Sequence, residues 1–145
     1  MTIRIRKATV ADAPELKAID TIAQLNTKRA AEIDKWVSRD KVLVAAADDR
    51  LVGYSVFNHE FFGQSQVAML MIAESLRGQR IGQSLLKATE DFADGPKVFV
   101  TTNQSNDRMQ RLLTKSGYRV CGYIDELDPG DPELVYFKRI AATPD

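Results

Sequence analysis

The chain contains one cysteine, one histidine, no net charge and no apolar run of membrane length. A lone Cys121 excludes an internal disulfide and a cysteine-rich metal site, and a single free thiol is consistent with a reducing cytoplasm. The 20 lysine and arginine side chains balance the 20 aspartates and glutamates, so no global basic field is present to drive nonspecific nucleic-acid binding. No apolar stretch approaches the roughly 20 residues of a bilayer span. The N-terminal segment alternates Ile3 and Ile5 with Arg4 and Arg6, as a half-buried strand does, and has no signal-peptide core. Repeats, linkers, a Gly-x-Gly-x-x-Gly fingerprint and a P-loop lysine are all missing. The expectation is a soluble, cytoplasmic protein without nucleic-acid, membrane or metal partners. At 145 residues it fits one domain, 1–145, whose folding hides roughly two-thirds of the unfolded surface.

The informative segment runs from Leu70 to Leu86, where an apolar run passes through a short polar turn into an amphipathic helix. The first turn of a helix carries backbone N–H groups without intrahelical partners, and the macrodipole adds partial positive charge, so this place suits a phosphate. Gly78 and Gly82 allow close approach to a ligand, and Arg77 and Arg80 add formal charge.

Around it, the pattern gives a strand near Ile3, a helix through Leu16, Ile19 and Ile22, and a second short helix with Ile33, Trp36 and Val37 on its apolar face. Val42 to Ala47 and Leu51 to Phe57 read as a hairpin, and Val67 to Ala73 as a buried strand. The helix after the glycine turn aligns Ile81, Leu85, Ala88 and Phe92 and ends at Asp94, Gly95 and Pro96. Val98 to Thr101 is a strand, and Asn106 caps a helix that stops at Gly117. Tyr118 to Ile124 and Leu134 to Ile140 are the last strands. The order is β-α-α-β-β-β-α-β-α-β-β.

The Arg77 to Gly82 turn resembles the pyrophosphate-binding motif of the GNAT superfamily of acyl-CoA-dependent N-acetyltransferases, Gln/Arg-x-x-Gly-x-Gly/Ala after an apolar strand. Arg77 fills its first position and Gly82 its last, while Arg80 replaces the middle glycine. The element order is similar to that fold over nearly the full chain. The resemblance implies an α/β (α+β) architecture: a mixed, mostly antiparallel sheet of six to seven strands, flanked by about four helices, with splayed central strands. It implies acetyl-CoA as cosubstrate, its pantetheine arm along Leu70, Met71 and Ile72. The pyrophosphate would lie over the amides of Gly78, Gln79, Arg80, Ile81, Gly82 and Gln83. The segment from Ser105 to Tyr118 looks like the family's asparagine-containing helix, with Asn106 on the residue that contacts the pantetheine region. Asn106 reads equally well as a plain helix cap.

The implied activity is direct transfer of an acetyl group, in a ternary complex, to a primary amine of a small molecule or protein. Such transfer needs a neutral amine, preorganised donors for an oxyanion and a proton for the departing thiolate. The backbone N–H of Ile72 is the expected oxyanion donor. Many members carry a tyrosine seven residues after the asparagine and some a glutamate five before it; here these are Leu113 and Thr101. These departures motivate a second reading, a noncatalytic acyl-CoA-binding or sensing module.

Glu60, late in the third strand and beside the expected acceptor cleft, is the preferred base, with His59 on the opposite face of the same strand. Tyr123 and Tyr136 read as thiolate donors or as core, and Thr102 and Asn103 as lining for the acyl end. Cys121 is the least suited nucleophile, with no histidine beside it in sequence. Glu32 and Asp34 would attract a cationic acceptor or form a solvated helix face, and Phe61 and Phe62 would border a pocket or close the core. An apolar face on the last strands reads as core or as a homodimer surface.

Overall fold

The computed structural model describes residues 2–77 and 80–140. In chain order it contains β1 (Ile3–Lys7), α1 (Ala13–Ile19), α2 (Thr27–Arg39), β2 (Lys41–Ala47), β3 (Arg50–Phe61), β4 (Gln64–Ile72), α3 (Ile81–Glu90), β5 (Lys97–Asn103), α4 (Asp107–Lys115), β6 (Arg119–Ile124) and β7 (Glu133–Arg139). Short 3-10 turns precede α1 and follow β4. The seven strands form one sheet in the order β1-β2-β3-β4-β5-β7-β6. Only the β4–β5 contact is parallel, so the mixed, mostly antiparallel sheet expected from the sequence is present, with four α-helices on it.

Each face has its own core. Leu16, Ile33, Val44, Tyr54 and Val56 pack on the α1/α2 side, and Leu85, Leu86, Val98 and Leu113 on the α3/α4 side. Asp48 and Asp49 close the β2–β3 hairpin with φ of 49° and 66°, the left-handed pair that suits strand twist. Ile22 lies beyond the end of α1 and is exposed, because the helix stops at Ile19.

Two buried ties fix α3 to both halves of the sheet. Thr89 Oγ1 lies 2.6 Å from Ser55 Oγ of β3. Glu90, in the last turn, accepts from Lys138 Nζ of β7 at 3.1 Å through each oxygen and from Tyr118 Oη at 2.7 Å. Burial, reinforced by that carboxylate, pushes the Tyr118 hydroxyl well above the ordinary phenol range.

The decisive irregularity is at the centre. β4 is paired with β3 along its length, but it meets β5 at a single position, Gln66 opposite Phe99. Beyond that point the strands part. Ala73 N–H donates to Val52 O at 2.7 Å, and the register continues Gly53 with Ile72, Tyr54 with Met71 and Ser55 with Leu70. Antiparallel pairs alternate between bonded and non-bonded positions. The backbone of Met71 is therefore committed to β3, whereas the N–H and C=O groups of Leu70 and Ile72 point into the gap.

Gly53 sits directly behind this edge. A Cβ there would lie 2.7 Å from Ile72 Cδ1 and 3.0 Å from the Met71 carbonyl oxygen. The backbone atom cannot swing away, so Gly53→Ala is expected to lower stability by about 1–3 kcal/mol, read as a reduced midpoint in thermal denaturation.

Candidate active site

The gap between β4 and β5 opens into a cleft of about 450 Å³. Leu70, Met71, Ile72 and Arg77 form one wall, Ser105 to Met109 and Leu112 the other, and Thr21 and Ile22 of the α1–α2 connection border it. The expected strand edge and the Asn106 segment are thus brought together. Asn106 is the N-cap of α4: its Oδ1 accepts from Met109 N–H at 3.1 Å, and the residue lines the cleft.

At the far end of the β4–α3 connection, Arg80 is the N-cap of α3 with φ 64° and ψ 7°. A side chain in this left-handed conformation is strained by about 1 kcal/mol or more, and this is the position of the middle glycine in the motif. The first intrahelical bond runs from Ser84 N–H to Arg80 O at 3.2 Å, so the amides of Ile81, Gly82 and Gln83 have no partner within the helix. The Ile81 side chain is buried in the core. At Gly82 an added Cβ would lie 3.1 Å from Leu112 Cδ2, so this glycine lets α3 and α4 approach, a packing role that the motif does not reveal. Gly78 and Gln79 lie outside the described residues.

Arg77 is turned back onto the strand. Its Nε donates to Ile72 O at 3.0 Å and its Nη2 lies 3.5 Å from Met71 Sδ.

The loop bearing Thr21 and Ile22 is pinned by a fully buried carboxylate. Asp20 accepts from Ile22 N–H at 2.9 Å, Ala23 N–H at 3.0 Å, Tyr54 Oη at 2.5 Å and Arg29 Nη1 at 3.1 Å. Burial works to raise the Asp20 carboxyl, but the hydrogen bonds from Tyr54 and Ala23 and the charge of Arg29 outweigh it and hold the group below its ordinary range. Sequence reading passed over Asp20; its signal was an aspartate at the end of an apolar helical pattern, a residue that bonds backbone N–H groups two and three positions on.

Glu60 and the remaining candidate side chains stand away from the cleft. Glu60 is not beside the cleft: the strand-edge residue Ile72 faces Gly53 on β3, and Glu60 lies roughly 20 Å further along that strand. It is exposed, with Oε1 3.6 Å from Arg39 Nη2. His59 is at the same distant end and bonds Asp94 at 2.8 Å. The two do point to opposite faces, toward α2 and toward the segment after α3. Tyr123 is 66% exposed on β6, and Tyr136 is buried with Oη 3.4 Å from Gln110 Oε1. Thr102 is buried, Asn103 donates to Asp128 Oδ2 at 2.9 Å, and Cys121 is exposed on β6. None of these lines the cleft. Asp34 pairs with Lys17 at 2.8 Å and Glu32 is half-buried on α2. Phe62 is 86% exposed in the β3–β4 turn, whereas Phe61 stacks on Phe99 with centroids 5.2 Å apart. Leu113 is fully buried in the core. Among the described lining residues, Asp107 is the one carboxylate.

A seven-stranded mixed sheet whose parallel strand pair parts at its centre is the fold shared with solved acetyltransferases of the GNAT family. The sequence profile of the Acetyltransferase (GNAT) family matches residues 10–118, and the chain belongs to this family. A GNAT-family acetyltransferase from Bacillus cereus superposes with a TM-score of 0.90 at 22% identity, over 98% of this chain and 100% of that one. An aminoglycoside 6'-N-acetyltransferase complexed with coenzyme A gives 0.83 at 16% identity, over 100% of both chains. A ribosomal-protein-alanine N-acetyltransferase from Brucella melitensis gives 0.76 at 23% identity, over 94% of this chain and 99% of that one. No curated protein matches the chain in sequence.

The loop anchor carries a pH signature. A carboxyl depressed in the folded state contributes stability above its unfolded value, near 3.8, and that contribution is lost as pH falls through the folded value. Asp20→Asn is expected to be less stable by about 1–3 kcal/mol at pH 7. The difference from the parent should narrow below about pH 4 in denaturant titrations.

Proposed function

We propose that the protein is an acetyl-CoA-dependent N-acetyltransferase acting on a primary amine of a small molecule or protein. The observation that supports this reading best is the outward-facing backbone of Leu70 and Ile72 along a cleft that reaches toward α3. Such an edge accepts an amide-bearing arm as an added strand. The amides of Ile81, Gly82 and Gln83, which have no partner within the helix, suit a diphosphate together with Arg80. The strand edge suits the amide-bearing arm of the cosubstrate, and the helix start suits its diphosphate.

In this reading the chain contributes positioning and electrostatics. The N–H of Ile72 is directed into the cleft, where it stabilises charge developing on a thioester carbonyl oxygen. The acceptor nitrogen bonds to the carbonyl carbon as the carbon–sulfur bond breaks, and the amine proton passes through water to the thiolate. Holding the two reactants together supplies much of the rate. The acceptor enters beside Thr21 and Ile22, on the loop that Asp20 holds. Aminoglycosides and ribosomal-protein alanine are chemically unlike acceptors on one fold, so the fold does not select between them.

The buried Leu113 and the lack of a histidine, glutamate or tyrosine among the described lining residues favour a second reading, a noncatalytic acyl-CoA-binding module. Turnover separates the two. With acetyl-CoA and a panel of amines, the transferase releases free CoA thiol. Because alkylamines have pKa values near ~10, and no histidine, glutamate or tyrosine is among the described lining residues, kcat/KM is expected to rise about tenfold per pH unit from pH 6 to 9. A plateau setting in near neutral pH would reveal an enzyme base, and tight acetyl-CoA binding with no turnover on any amine would establish the binding module.

We further propose pairing of two copies through β6. The β1 edge is blunted by Arg4, Arg6 and Lys7, but the β6 edge exposes Val120, Cys121 and Tyr123. Sedimentation should give twice the chain mass, and Val120→Lys should return the monomer.

A further inference from the structure

We infer that Arg77 is a specificity-determining residue that holds the place of the acyl-CoA arm in the free protein and thereby selects diphosphate-bearing carriers over bare pantetheine. The inference rests on the acyl-CoA reading of the cleft and adds a role for one side chain within it. The Ile72 carbonyl belongs to the edge left unpaired where β4 leaves β5. It already has a partner: Arg77 Nε donates to it at 3.0 Å, and Nη2 rests on Met71 Sδ at 3.5 Å. Arg77 lines the cleft and forms no ion pair among the described residues. A permanent cation is thus satisfied by a neutral amide carbonyl and a thioether, both weak partners for it.

An amide N–H of an incoming arm needs that same carbonyl. Binding therefore displaces the guanidinium, and the outcome depends on what the ligand offers in return. A diphosphate offers an opposite charge and paired acceptor oxygens for a bidentate contact, where the carbonyl offers one neutral acceptor. Arg77 stands at the start of the connection to the N-terminus of α3, on the side where a diphosphate is expected. Pantetheine offers the same amides without phosphate, so it must break the Arg77 bond without compensation. The exchange opposes short carriers and favours CoA.

The test is calorimetry with CoA and with pantetheine, on the parent and on Arg77→Ala. The variant is expected to bind pantetheine about fivefold more tightly, because the carbonyl is freed. It should bind CoA at least about tenfold more weakly, because a charge-assisted contact is lost. A variant that weakens both ligands alike shows that Arg77 merely braces the loop, and one that weakens CoA while leaving pantetheine unchanged shows a simple phosphate contact. Either result overturns the inference. A second readout needs no variant. In the parent, the Arg77 Nε–H resonance should shift when CoA is added, because its acceptor changes from the carbonyl to a phosphate oxygen. Binding of CoA with the Nε–H resonance unmoved would remove the role of Arg77 while leaving the acyl-CoA reading intact. A folded parent that binds no CoA would remove both.

Discussion

The parting of β4 from β5 after Gln66 and Phe99 is the constraint on which the rest of the structure depends. A sheet interior normally satisfies every backbone donor and acceptor, and an unsatisfied buried group costs about 1–3 kcal/mol. Here two residues, Leu70 and Ile72, are left with strand groups facing no strand. The fold tolerates this because the two halves are held elsewhere. β5 is paired with β7 over seven positions, and α3 is tied to β3 through Thr89 and to β7 through Glu90 and Lys138. The helix spans the gap, so the cleft stays open without the sheet coming apart.

The same bracing explains why buried polar contacts gather around this cleft. A Glu90–Lys138 pair is weak evidence for stability, since desolvation offsets much of the attraction. Its geometric effect is stronger: it fixes the angle of α3 relative to β7, and hence where the Ile81, Gly82 and Gln83 amides point. Asp20 does the equivalent on the other face. By drawing Tyr54 of β3, Arg29 of α2 and the Ile22 and Ala23 amides onto one carboxylate, it sets the loop that borders the cleft from above the sheet. One site is thus framed from both layers.

Much of this was legible because it is local. The apolar run, glycine-containing turn and amphipathic helix from Leu70 to Leu86 carry their own periodicity, and Asn106 announces a helix start wherever the helix goes. What failed depended on long-range register. Glu60 was placed by its position late in a strand, but which end of β3 borders the cleft follows from the Gly53–Ile72 pairing and from β5 joining β4 at Phe99. Neither is encoded nearby in sequence. β3 also runs on to Phe61, so a residue that seemed near a central site is carried to the distant hairpin. Phe62 shows the related limit: an aromatic residue is an unlikely choice for a left-handed turn position, and it occupies one with φ 54°. Gly82 was found for one reason and is needed for another, since the contact with Leu112 exists only once α4 has docked.

Arg80 joins these threads. Replacing a glycine by arginine at φ 64° strains the backbone, and strain persists only where the surroundings hold the conformation in place. The neighbouring geometry does so: Ile81 is buried and Gly82 is packed against Leu112, so the helix start cannot shift to relieve Arg80. In exchange the position gains a cation at the positive end of the α3 dipole, where like charges repel unless an anion is present. Arg77 is in a similar condition, a cation resting on a carbonyl and a thioether. Two arginines flank a helix N-terminus whose amides have no partner in the helix, and each is better satisfied by an anion than by its present surroundings. The electrostatics of the free protein therefore favour an anionic ligand before any contact with the acyl group is considered. In the acyl-CoA reading proposed above, the neutral arm and the open strand edge then decide which anion carrier the cleft retains.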